Sequence, residues 1–205
     1  MEKTFKTPLG IVHCGLQSGV SDIVQIESTI YKNGKSEILK TGAHQIEIIE
    51  FKLNHEVTVA DSSAWIWRIE KTNELTEIIE TYCFFEKGDT NVELDSANGE
   101  HLDAIEIYNN DWTLHIGTED GDMMHNRATA DDWLPIRLAA NIDISHPITL
   151  AQENGFSTII PDLKKGEQIH IQYLSAYDKR DIDKINTWLA VDRSKNELEL
   201  WLRIR

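Results

Sequence analysis

Cysteine is nearly absent from this 205-residue chain, where only Cys14 and Cys83 occur. Two thiols are too few for the disulfide framework of a small secreted scaffold. A reduced, intracellular protein is the simplest expectation, with a single Cys14–Cys83 bridge as the alternative. Four Pro and eleven Gly leave no low-complexity linker and no fibrous repeat. No apolar run nears the ~20 residues that cross a bilayer. Met1 to Pro8 carries Lys3 and Lys6 with no apolar stretch behind them, unlike a signal peptide, so a cytoplasmic location is expected. Bases are scarce too: 20 Lys and Arg face 35 Asp and Glu, a net −15 with the His neutral. Neutralising phosphates requires a basic face, so neither nucleic acid nor an anionic membrane is an expected partner.

The usual marks of catalysis are missing as well. There is no Gly-x-Ser-x-Gly elbow, no His-Glu-x-x-His, no Cys-x-x-Cys and no phosphate-binding glycine pattern, and no cofactor is expected. His13 adjoins Cys14, but neighbouring strand residues point to opposite faces, which makes Cys14 a buried structural thiol rather than an activated nucleophile.

What the chain has in quantity is apolar alternation of period two. Val24, Ile26 and Ile30 alternate with polar residues up to the Asn33-Gly34 pair, a strong hairpin signal, and a returning strand is expected near Glu37 to Lys40. From His44 to Leu53 the pattern slips between Ile48 and Ile49, which predicts a β-bulge. Trp65, Trp67 and Ile69 share one face, as a sandwich core would require. Ile105 and Ile107 match Leu114 and Ile116 across the Asn109-Asn110-Asp111 turn. Leu134, Ile136 and Leu138 alternate; so do Ile169, Ile171 and Tyr173, and finally Leu198, Leu200, Leu202 and Ile204. Asn73 to Tyr82 fits a short helix, and Asp181 to Leu189 a loop followed by a strand. About a dozen short strands at intervals of roughly 8 to 12 residues predict an all-β, mainly antiparallel sandwich or barrel-like fold with at most one or two short helices. Residues 1–205 are expected to form a single domain, with 117–132, a long loop, the nearest thing to a subdivision.

The negative charge has an address. Residues 95–132 hold ten carboxylates and one base, Arg127, so −9 of the −15 comes from 38 residues. Such a segment is either a solvated face or a docking surface for a basic partner, for which Glu100, Asp103, Asp111, Glu119, Asp120, Asp122, Asp131 and Asp132 are the candidate contacts. Trp133, directly after them, is either an aromatic anchor or a core residue. Two other sites come into consideration. Trp201 lies on the charged side of the last apolar pattern and, with Trp188, could form a platform for a sugar or another small ligand. His115, Asp120, Asp122 and His125 fall within eleven residues and could hold a metal in an enzyme with a dispersed site. At the level of class alone, a small, acidic, motif-poor protein with a local carboxylate cluster is similar to bacterial toxin-neutralising immunity proteins. That likeness implies a non-enzymatic protein whose partner is a basic protein, a toxin domain for example.

Overall fold

The computed structural model describes residues 1–19, 22–31, 34–53, 58–142, 148–181 and 183–203. Among them are thirteen strands in two antiparallel sheets. The first six are β1 (Glu2–Lys6), β2 (Gly10–Ser18), β3 (Val24–Tyr31), β4 (Gly34–Lys40), β5 (His44–Phe51) and β6 (Asp61–Lys71). Next come β7 (Ile79–Lys87), β8 (Glu93–Asn98), β9 (Leu102–Tyr108), β10 (Trp112–Glu119), β11 (Thr149–Gln152), β12 (Gly155–Ile159) and β13 (Gln168–Lys179). Three short helices, α1 (Gly121–Thr129), α2 (Asn186–Val191) and α3 (Lys195–Arg203), and a 3-10 turn over Ile136–Asn141 complete the fold. One sheet runs β1-β2-β7-β12-β11; the other runs β3-β4-β5-β6-β13-β10-β9-β8. Strands from both sides of 117–132 thus enter both sheets. No helix among the described residues is long and apolar enough to cross a membrane.

The sandwich core lies between the sheets. Trp65, Trp67 and Ile69 of β6 and Ile169, Ile171 and Tyr173 of β13 are fully buried there against Val12, Cys14 and Leu16 of β2 and Cys83 and Phe85 of β7. Alternation placed these residues correctly, as it did the β9–β10 hairpin, where Ile105 pairs with Ile116 and Ile107 with Leu114. The β3–β4 pairing also follows the pattern, Tyr31 standing opposite Gly34, while Lys32 and Asn33 lie outside the described residues.

The eight-stranded sheet has a second apolar layer on its other face, where Ile49, Phe51, Ala64, Ile66, Leu174 and Ala176 pack against Ala190, Val191 and Leu198 of α2 and α3. This layer explains the apolar slip in β5. The slip at Ile48 and Ile49 is not a bulge, because β5 pairs in unbroken register with β4 and β6. Ile46 and Ile48 face the sandwich core while Ile49 and Phe51 face the helices, so both parities are apolar. The irregularity lies instead in edge strand β3, between Gln25 and Glu27. There it bends an exposed edge whose backbone could otherwise pair with another strand.

Three segments predicted as strands are helical, and one predicted helix is not. Leu198 to Leu202 lies in α3, because Ser194 and Glu197 form a reciprocal capping box: the Ser194 amide donates to Glu197 Oε2 at 2.8 Å, and the Glu197 amide to Ser194 Oγ at 3.4 Å. Leu198 is buried and Leu200 exposed, as helical spacing requires. Asn186–Val191 is helix rather than strand, and Leu134 to Leu138 enters the 3-10 turn with Ile136 exposed. Asn73 to Ile78 is not helical; the Asn73 side chain accepts from the Leu75 amide at 2.9 Å in a local turn, and β7 follows at Ile79. The 117–132 stretch is not one long loop: Gly117 to Glu119 end β10 and Gly121–Thr129 is α1. Asp120 caps α1 by accepting from the Met123 amide at 2.6 Å.

Candidate functional site

The acidic segment divides into three groups. The first is structural. Glu119 is buried and paired with the buried Arg127 at 2.8 Å, and the same guanidinium donates to the His170 and Asp132 carbonyls. The Asp132 carboxylate is engaged by Lys195 at 2.9 Å. Trp133 is half-buried with φ of 53°, an uncommon backbone for a bulky residue, under the Arg68 guanidinium at 5.4 Å. Asp131, with φ of 54°, is exposed beside it.

The second group gathers at one end of the sheet. Leu102 at the start of β9 stands opposite Glu119 at the end of β10, and α1 starts directly beyond. This brings Glu100, Asp103, Asp120 and Asp122 to the same end. Burial and the charge of Asp120 both raise the Asp103 carboxyl above its usual range, a sign that the two carboxylates feel one another. The Asp192 carboxylate reinforces this end, accepting the backbone amides of Glu100, His101 and Leu102 at 3.2, 2.9 and 3.2 Å. Asp192 carries no sequence signal, since it lies 90 residues from the amides it holds. Asp111 forms the third group, alone. It sits in the β9–β10 turn at the other end of the strands, about 20 Å from Leu102 at ~3.3 Å per residue, where its carbonyl accepts from the Arg180 amide at 2.8 Å.

A cavity of about 340 Å³ lies on the helix-covered face between β8–β10 and α2. The strand register builds its floor: Glu106 and His115 are direct cross-strand partners on β9 and β10, with the exposed Asp95 of β8 opposite Glu106 outside the lining. The His115 Nδ1 lies 3.0 Å from Thr187 Oγ1, and its ring meets the Trp188 indole at 5.6 Å between centroids. Burial alone pushes the His115 imidazole down to about 4, so it is neutral at physiological pH. Glu106 is half-buried and accepts no hydrogen bond from the described residues. Burial raises its carboxyl, Arg180 lowers it and Asp95 raises it again. Arg180 and Lys184 stand at the rim. The Arg180 guanidinium stacks on Tyr108 at 3.9 Å and donates to the Asn109 carbonyl, and Lys184 pairs with Asp181 at 2.8 Å. The wall is close-fitted. A Cβ at Gly99 would collide with the Trp188 indole and the Asp192 carboxylate.

Of the two candidate aromatic residues, Trp188 lines this cavity, whereas Trp201 lies on α3 with the Arg193 guanidinium at 5.4 Å over its ring. The four candidate metal ligands are not drawn together. His115 faces α2, Asp120 caps α1, Asp122 is exposed, and His125 Nδ1 approaches the Ala139 and Ile142 carbonyls at 2.9 and 2.7 Å. Among the described residues no group of three or more His, Cys, Asp or Glu is placed to hold a metal ion. Cys14 and Cys83 are direct partners across β2 and β7, both buried and both free thiols. Burial first, and then Cys83, push the Cys14 thiol well up, which removes nucleophilic character.

Compared with protein-family models, curated proteins and solved structures, the chain matches none.

Proposed function

We propose that this is a non-enzymatic binding protein that docks a basic protein partner, such as a toxin domain, on the acidic end formed by Glu100, Asp103, Asp120 and Asp122. One observation carries the reading. These four carboxylates are gathered at one end of the sheet with no ion-pair partner among the described residues, unlike Glu47, Asp61, Glu167 and Asp132, which pair with Arg68, Lys52, Arg137 and Lys195. Unneutralised charge on a −15 protein raises encounter rates with a cationic surface and disfavours acidic competitors. The footprint is narrower than the 95–132 segment, since Glu119 and Asp132 are occupied and Asp111 lies at the far end.

The test is affinity capture from the source lysate with mass spectrometry, beside a Glu100→Gln/Asp103→Asn/Asp122→Asn variant. Asp120 is left intact because it caps α1. A basic protein captured by the native chain is expected to associate roughly tenfold more slowly with the variant at low salt, the gap closing as salt rises. A partner held equally by both proteins places the interface elsewhere and overturns the reading.

A further inference from the structure

We infer that the cavity beneath α2 is a binding site for a small zwitterion bearing both an ammonium and a carboxylate, an α-amino acid being the simplest such molecule. This site is distinct from the acidic docking end and does not depend on it. Its one floor carboxylate, Glu106, accepts no hydrogen bond from the described residues. Glu106 is half-buried with Asp95 directly across the strand pair, an arrangement of like charges that destabilises a sheet unless a cation lies between or above them. The neighbouring His115 is neutral. Its Nδ1 is engaged with Thr187 Oγ1, and an uncharged ring cannot serve as Glu106's counter-ion. An ammonium group adds positive charge next to Glu106, beyond that of Arg180, and brings N–H donors to the carboxylate.

The rim has the opposite character. Arg180 and Lys184 line the mouth, and each retains donors beyond the single acceptor it engages, Asn109 for Arg180 and Asp181 for Lys184. A carboxylate at the mouth meets these cations, while the ammonium meets Glu106 below. Trp188 and the exposed Ile185 flank the space between, offering an apolar and aromatic wall to a side chain. The lining thus carries two acidic and two basic residues, Glu106 and Asp181 against Arg180 and Lys184, which suits a ligand of zero net charge better than a simple amine or acid. A second hollow of about 600 Å³ shares Thr113, Arg180, Asp181, Lys184 and Thr187 with it, which leaves room for a longer side chain.

Titration of the full chain with the twenty standard amino acids, followed by calorimetry and tryptophan fluorescence, tests the assignment. At least one amino acid is expected to bind at millimolar concentration or below, with methylamine and acetate each at least tenfold weaker. Glu106→Gln should weaken binding tenfold or more, and so should Lys184→Gln, an exposed position whose replacement leaves the fold intact if Glu106→Gln does not. Absence of binding by every amino acid overturns the assignment, as does binding that both variants retain. Methylamine binding as tightly as the best amino acid overturns the zwitterion in favour of an amine.

Discussion

Two regions use the same residue type for opposite ends. At the junction of β2, β7 and the β4–β5 turn, Glu77 is a buried carboxylate with nearly every acceptor position filled: Ser18 Oγ at 2.7 Å, the Ala43 amide at 2.8 Å, His44 Nδ1 at 2.9 Å and the Thr41 hydroxyl. At the acidic end Glu100, Asp103, Asp120 and Asp122 have no cation to pair with among the described residues. A carboxylate surrounded by donors fastens the fold, and one without a cation, even where it caps a helix as Asp120 does, keeps its charge unneutralised. The difference lies in the neighbours that folding supplies.

Removing a buried counter-ion is expected to do the most damage. Arg127→Met leaves Glu119 charged, buried and unpaired, and should lower unfolding free energy by about 3–5 kcal/mol in urea denaturation. A loss below ~1 kcal/mol would mean that this pair is not a fastener and belongs with the open group. Next is Glu77. Burial pushes its carboxyl up, but hydrogen bonds from Thr41, Ser18, His44 and the Ala43 amide outweigh this and bring it down to about 2. Because the folded value lies below the ordinary one near 4.5, the stabilisation is complete above pH ~5 and fades as pH falls toward 2. Glu77→Gln should therefore cost roughly 2–3 kcal/mol at pH 7, and the difference from the native protein should shrink steadily between pH 5 and 2. A pH-independent difference would place its role in shape rather than charge.

The smallest effect sharpens the contrast from the other side. At the acidic end the Asp103 carboxyl is raised, so its ionised form is disfavoured by folding, and this penalty is relieved as pH falls. Asp103→Asn is expected to change stability at pH 7 by less than ~1 kcal/mol, toward greater stability. Clear destabilisation, read from the urea midpoint, would show that this carboxylate is a fastener after all.

Much of the architecture was legible because period-two alternation reports a sheet with one buried face. Trp65, Trp67 and Ile69 were assigned to one wall on that basis, as were the facing residues of the β9–β10 hairpin. The same rule failed where its assumption failed. β5 is covered on both faces, so its two apolar parities imitate a slipped register. In α3, Leu198, Leu200 and Leu202 imitate a strand, although the Ser194-x-x-Glu197 box and the helical spacing of Leu198, Trp201 and Leu202 were readable. The Asp120 cap was readable too, but a cap without a strong apolar stripe behind it is a weak signal. At the cavity, Trp188 and His115 were each singled out for separate reasons. Their contact, and the rung that joins Asp95, Glu106 and His115, required the register of three strands.

By itself the sequence determined how much charge the protein carries, where along the chain it is concentrated, and that strands would dominate, because composition and alternation are local properties. Only the tertiary structure decided which carboxylates keep their charge in solvent. Glu77 finds Thr41 and Ala43, Asp132 finds Lys195, and Asp192 finds the amides of residues 100–102, all across long separations. Pairing depends on distances of a few ångströms in space, which the order of residues along a chain does not contain.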